Sequence, residues 1–167
     1  MDDLVTERLT LHPMSLAEAG RVAAGRPADG DRWAPGYPAA ADVEGARHFV
    51  SSWATHGDPR PYGSYEIRRR ADGAAIGGTG FNRPPDGDGT VTIGYGLIPA
   101  ERGKGYAAEA LRALLRFARE CGLTSVRGDA DLDNVASQRV MAAVGMRCMG
   151  EDERVRYYEI ALPADDA

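Results

Sequence analysis

The stretch "VTIGYGLIPAERGKGYAAEALRALLRFA", Val91 to Ala118, decides how this chain folds. It begins with "VTIGYGLI", an apolar run of strand length. Pro99 follows, and Arg102 to Gly105 then places two glycines and two cations in four residues. From Tyr106 the apolar residues return at helical spacing: Ala107, Ala108, Leu111, Leu114, Leu115, Ala118 and Cys121, with Gly122 suited to close the helix. A helix start offers unpaired N–H groups and a partial positive charge. Glycines let a ligand approach the backbone, and Arg102 and Lys104 add charge, so the local chemistry suits a phosphate. The loop is not a Walker A motif, because Lys104 precedes Gly105 rather than Ser or Thr. It also lacks the third glycine of a dinucleotide fingerprint.

On the N-terminal side of this stretch, "ERLTLHPM" alternates as a strand, and Ser15 with Glu18 has capping-box spacing ahead of a helix. "RPADGDRWAPGYPAA" reads as loop. "ADVEGARHFVSSWATHG" is helical, with Val43, Ala46, Phe49, Val50 and Trp53 on one face. Strands "YGSYEIRRR" and "AAIGGTGFNRP" flank an Asp72-Gly73 turn, and "PDGDG" leads into the third strand of a meander. On the C-terminal side come strand "TSVRGDAD", helix "NVASQRVMAAVG", and strands "MRCMGE" and "RVRYYEIAL". The order is β-α-α-β-β-β-α-β-α-β-β. Only residues 90–131 read as a parallel crossover unit, so the class is α/β with a mixed sheet, not a doubly wound one.

At 167 residues, a single domain spanning 1–167 is expected, large enough to bury a core without disulfides. No apolar stretch reaches the ~20 residues of a membrane span, and "MDDLVTERL" has no signal-peptide pattern. The only cysteines, Cys121 and Cys148, form no CxxC pair; Cys121 reads as core. A reducing cytoplasm fits. A net charge of −5 disfavours nucleic acid as a partner, and no membrane partner is indicated. His12, His48 and His56 show no ligand spacing, so no metal is expected. Arg68-Arg69-Arg70 reads as a solvated hairpin end.

Arg102-x-x-Gly105-x-Ala107 resembles the pyrophosphate loop of the GCN5-related N-acetyltransferases (GNAT). "DNVASQRVMAAVGMRCMGE" resembles the Asn-x-x-Ser, helix, Gly ending of the same family. "LVTERLTLHPM", "YPAAADVEGARHFV" and "AAIGGTGF" are similar to its RimJ/RimL-like branch, so the resemblance covers residues 4–162. It implies a central, mostly antiparallel sheet flanked by helices, with a splayed parallel pair at the glycine loop. It also implies acetyl-CoA as co-substrate. Arg102, Gly103, Lys104, Gly105, Tyr106 and Ala107 would hold the pyrophosphate. Gly96, Leu97 and Ile98 would pair with the pantetheine, and the Leu97 or Ile98 N–H would serve the oxyanion.

The implied reaction is direct attack of a primary amine on the thioester in a ternary complex. Asn134 would contact the pantetheine, and Ser137 would donate to the thiolate; Asn134 is equally suited as an N-cap. Thr92 stands where many relatives carry a Glu base, leaving Glu66, Asp129 and Asp131 as strand carboxylates, with Glu66 taken as the base. Trp33 and Tyr37, in the loop at 27–40, and Tyr95 are expected to bound the acceptor pocket together with the last hairpin. The acceptor is a protein N-terminus or a small-molecule amine, and a homodimer suits the fold. Two rivals stay open. One is a non-catalytic acyl-CoA sensor, kept alive by Thr92. The other is an ATP-binding regulator, disfavoured by the missing Walker motif.

Overall fold

The computed structural model describes residues 2–163. Eight strands form one sheet: β1 (Leu4–Val5), β2 (Leu9–Pro13), β3 (Ser64–Arg69), β4 (Ala75–Phe81), β5 (Thr90–Leu97), β6 (Ser125–Asp131), β7 (Arg147–Glu151) and β8 (Val155–Ala161). Their spatial order is β1-β2-β3-β4-β5-β6-β8-β7. The helices are α1 (Leu16–Ala24), α2 (Ala40–His56), α3 (Tyr106–Glu120) and α4 (Val135–Ala143). The mixed α/β class is therefore as expected, with β1 an added two-residue strand whose pairing is too short to leave a periodic signal.

All the strand pairings are antiparallel except β5 with β6. That pair matches only Thr90–Thr92 with Ser125–Arg127. Past Thr92, β5 keeps its partner β4 as far as Leu97 but has no register partner in β6. The edge of β5 is open there, and its backbone groups need other partners.

The sheet is covered on both faces. Tyr65 of β3 and Phe81 of β4 turn toward Phe117 of α3, with ring centroids 6.4 Å apart in each pair. Gly78, one residue out of phase with Thr79, turns instead toward Asp42 of α2. On α3, Ala110, Leu111, Ala113, Leu114, Leu115 and Ala118 are buried. Leu9, Leu11, Leu111 and Leu114 are fully shielded, each contributing about 1.5–3 kcal/mol of transfer free energy. Ser15 and Glu18 form the expected capping box. Cys121 is exposed, contrary to its expected core position. It is the C-cap residue of α3, so the helical phase no longer directs its side chain inward. The Arg68–Arg70 run is not a free hairpin end. Arg68 pairs with Glu66 and Glu18, Arg69 with Asp72 and Glu101, and Arg70 donates to the carbonyls of Thr6 and Glu7.

Candidate active site

The glycine loop adopts a conformation that its residues make possible. Gly103 and Gly105 have φ of +79° and +84°, a region that costs any residue with a Cβ about 1–2 kcal/mol. Gly105 is the N-cap of α3 and offers no side chain to the helix N–H groups. The first-turn donors at Tyr106 and Ala107 are thus left for a ligand. A short 3-10 turn, Pro99–Glu101, joins β5 to the loop. Glu101 is buried beneath it and binds Arg69 at 2.8 Å and Lys104 at 3.2 Å. From the other side Arg8 donates to the Lys104 carbonyl at 2.9 Å and lies 4.5 Å over the Tyr106 ring. Arg8 went unnoticed in the sequence because it lies 96 residues from Lys104.

Next to the loop is the open edge of β5. The Ile98 N–H donates to the Ile76 carbonyl at 2.9 Å, so it faces β4. This corrects its expected place beside the pantetheine: strand alternation turns Leu97, not Ile98, toward the opening. The Leu97 carbonyl accepts from Arg102 Nε at 3.1 Å.

Tyr95 and Ser137 meet across that opening. Their hydroxyls are 2.6 Å apart, and the Tyr95 hydroxyl also donates to the Ser137 carbonyl at 3.0 Å. Burial pushes the Tyr95 phenol up, against the lowering effect of Ser137. Asn134 takes the N-cap position of α4, its Oδ1 accepting the Ser137 N–H at 3.1 Å. The structure thus joins three of the expected residues, and Asn134 fixes where Ser137 stands.

On the α2 side of the sheet is a cleft of about 220 Å³, and Tyr95 is among the residues that line it. Gly78 and Gly80 of β4 and Gly94 and Gly96 of β5 form its floor, Tyr37 and Asp42 part of its wall. Tyr37 is buried and lines the cleft. Trp33 stands behind it, edge to face at 5.6 Å, and does not line the cleft. Nor does the C-terminal hairpin, because β7 and β8 lie beyond β6. Glu66 is buried, but both of its oxygens are engaged, one by Arg68 Nε at 2.8 Å and one by the Tyr37 hydroxyl at 2.9 Å. It also lies outside the cleft lining, so the geometry gives no support to Glu66 as the base. Asp129 and Asp131 are exposed on β6.

The cleft carboxylate is Asp42. Burial raises its pKa and the charge of Glu66 adds to this, while the Ala39 N–H opposes it. That N–H binds Oδ2 at 2.8 Å, a half capping box at the start of α2. Its acidic position one turn into a helix was the only sequence signal, and capping alone accounts for it. Among the described residues no group of three or more His, Cys, Asp or Glu side chains is arranged for a metal.

The acetyltransferase (GNAT) domain family model matches residues 8–147. The N-acetyltransferase YjdG of Bacillus subtilis is 27% identical over 111 residues, 65% of this chain and 66%, just under two thirds, of that one. Among solved structures, ribosomal-protein-S5-alanine acetyltransferase from Vibrio fischeri superposes with a TM-score of 0.72 at 16% identity, covering 99% of this chain and 98% of that one. RimL, an L7/L12 α-N-protein acetyltransferase solved with coenzyme A, gives 0.69 at 19% identity, covering 98% and 100%. The model match takes in most of the chain, loop and Asn134–Ser137 segment included, and the chain belongs to the GNAT acetyltransferase family, transferases that use acetyl-CoA.

Proposed function

We propose that the protein transfers an acetyl group from acetyl-CoA to a primary amine, on a protein N-terminus or a small molecule, by direct attack within a ternary complex. One observation carries the reading: an uncapped α3 N-terminus in a basic glycine loop adjoins the unpaired edge of β5, with the Tyr95–Ser137 pair across that opening. The donor set fits acetyl-CoA. N–H groups of the loop, helped by Arg102 and Lys104, suit a pyrophosphate. The edge around Leu97 suits an amide-bearing arm that adds like a strand. Acetyl-CoA supplies an acetyl carbon already activated as a thioester.

In the reaction a C–N bond forms, the C–S bond breaks, the amine gives up a proton and the sulfur takes one. The Leu97 N–H, on the open side of β5, is placed to serve an oxyanion. Ser137 is placed to give the sulfur its proton, its Oγ held 2.6 Å from the Tyr95 hydroxyl. Glu66 binds Arg68 and Tyr37 and lies outside the cleft lining, so it is not proposed as the base. An α-amine titrates near pH 8, so an appreciable neutral fraction exists without a strong base. The names of the two structural neighbours favour a protein N-terminus, and the small closed floor of the cleft suits either acceptor.

A second reading, an acyl-CoA sensor without turnover, draws on Thr92, which pairs with Arg127 and supplies no carboxylate. Thermal unfolding with acetyl-CoA, CoA and ATP tests binding. Ligand at 100 times its Kd adds about 2.7 kcal/mol, or roughly 5–10 °C for a chain of this size. The shift should occur with both CoA species, not with ATP, and disappear in Gly105→Glu. No shift with CoA in the wild type refutes the proposal. Release of free thiol on adding a primary amine then separates enzyme from sensor.

A further inference from the structure

Three of the four floor glycines are not required by packing. A Cβ at Gly96 would meet nothing within 4 Å. At Gly94 it would come 3.5 Å from Asn82 Oδ1, and at Gly78 3.6 Å from the Tyr65 carbonyl and 3.7 Å from Asp42 Oδ1, all ordinary contacts. Gly80 differs: a Cβ there would lie 2.4 Å from the Gly63 carbonyl, and its φ is +158°. Glycine inside a strand costs about 0.5–1 kcal/mol relative to alanine. At positions 78, 94 and 96 the fold accepts that cost although alanine would fit.

Their bare Cα atoms share one face and are in register, Gly78 with Gly96 and Gly80 with Gly94. They leave a flat patch of paired backbone at the bottom of the cleft. Above it, Asp42 spends only one oxygen on the fold, the Oδ2 that accepts from Ala39. Oδ1 takes no hydrogen bond from the protein among the described residues and faces the floor at Gly78. Met14 and Val22 add apolar wall, and 220 Å³ is many times the roughly 10–15 Å³ that admits one water.

We infer that this cleft is the acceptor site: Asp42 Oδ1 receives a primary ammonium, and Gly78, Gly94 and Gly96 leave room for a slim body to lie flat behind it. The inference rests on the acetyltransferase reading, which named no residue for the acceptor's charge. Tyr95 belongs to both sides, lining the cleft and holding Ser137 through its hydroxyl, so an amine in the cleft and a thioester at the open edge share β5, and the ammonium gives up its proton before it attacks. Anionic compounds are repelled by Asp42 and by Glu66 beneath it, and N-blocked ones lose the positive charge that Asp42 would pair with.

The test uses two probes, the tetraalanine amide with a free N-terminus and n-hexylamine. Each is titrated into the full-length 15N-labelled protein with and without CoA, while the Gly78, Gly94 and Gly96 amide resonances are followed. At least one probe should shift these resonances, and N-acetylated tetraalanine amide should not. A peptide-only response makes the site a protein N-terminus site, an n-hexylamine response a small-amine site. Asp42→Asn keeps an oxygen for the Ala39 N–H and should weaken the responding probe at least about tenfold, about 1.4 kcal/mol. In turnover this should appear in the KM for the amine more than in kcat. Gly78→Ala sets a methyl against Oδ1 and Gly96→Ala one in the open floor; both should fold and bind the probe more weakly. The acetyl-CoA thermal shift of Asp42→Asn should match wild type, so failure of the cofactor reading shows separately, in the wild type. Silence of the three glycines toward both probes, or full affinity in Asp42→Asn, overturns the inference.

Discussion

The Tyr95–Ser137 contact can be tested as a pair. Its hydroxyls stand 2.6 Å apart, and the phenol donates to the Ser137 carbonyl at 3.0 Å. Tyr95→Phe removes one donor and Ser137→Ala one hydroxyl, each worth about 0.5–1.5 kcal/mol net, a fall of roughly 1–6 °C in Tm. Both changes delete the same O–H···O bond. The double variant should therefore lose less than the sum of the singles, by at least about 0.5 kcal/mol. Kinetics should separate the two residues. A proton donor to the leaving group contributes about 10²–10⁴-fold, so Ser137→Ala should lower kcat at least about 100-fold. The KM for acetyl-CoA should stay nearly constant, because the loop and β5 are untouched. Tyr95 acts through Ser137, so Tyr95→Phe should cost kcat less, about tenfold. The pH profile adds a sign. Burial raises the Tyr95 pKa from its ordinary value, so Tyr95 keeps its proton and causes no loss of rate through the neutral range. The assay is free thiol released from acetyl-CoA with a saturating primary amine. A kcat within about threefold of wild type in Ser137→Ala, far below the general-acid range, refutes the role.

Gly77→Ala should be severely destabilising, because its Cβ would sit 2.2 Å from the Gly96 carbonyl; a loss of at least about 2 kcal/mol, or more than about 5 °C, is expected in a thermal melt. Glu101→Ala strips the shared partner from Arg69 and Lys104. Urea unfolding should show a loss of about 3 kcal/mol, the low end for a broken buried pair because Arg69 keeps Asp72, and Glu101→Gln should recover part of it. The Arg21 guanidinium, at 2.6 Å, holds the Asp31 carboxyl below its usual range. Because the folded pKa is depressed, that stability is present above the unfolded pKa near 4 and is lost as pH falls through the folded one. Asp31→Asn should cost about 1.5 kcal/mol at pH 7 and progressively less below pH 4 in chemical denaturation.

The loop and helix start proposed for the cofactor were legible in the sequence because their physics is local. Gly103, Lys104, Gly105 and the start of α3 are contiguous, and Asn134 and Ser137 are one helical turn apart, so spacing alone brings them together. The proposed acceptor side draws on Tyr37, Asp42, Gly78 and Gly96, which only the sheet register and the docking of α2 make neighbours. Glu66 and Asp42 could not be ranked from sequence. A strand carboxylate such as Glu66 is equally an ion-pair partner or a cleft acid; Arg68 pairs with Glu66, and the docking of α2 puts Asp42 in the cleft lining. Strand alternation could have separated Leu97 from Ile98, but the phase is set by the Ile98–Ile76 bond, 22 residues apart.

The acceptor cleft should also appear in stability, with a sign opposite to that of a structural site. Burial first, and then the charge of Glu66, raise the Asp42 pKa against the pull of the Ala39 N–H. An acid whose folded pKa lies above its unfolded value weakens the fold when ionised, so its stability contribution improves as pH falls. Three alanine-compatible glycines add a further cost of about 1.5–3 kcal/mol. A side chain kept for packing would show the reverse, since replacing it would lower stability. Asp42→Asn in the ligand-free protein should therefore raise Tm at pH 7 and lose that advantage as pH falls through the raised folded pKa, where wild-type Asp42 gains its proton. A thermal melt across that range decides between the roles. A lower Tm at neutral pH would mean that Asp42 serves chiefly as the cap of α2. A higher one, together with weaker amine binding, would mean that the fold carries this carboxylate at a cost for the sake of the ammonium it receives.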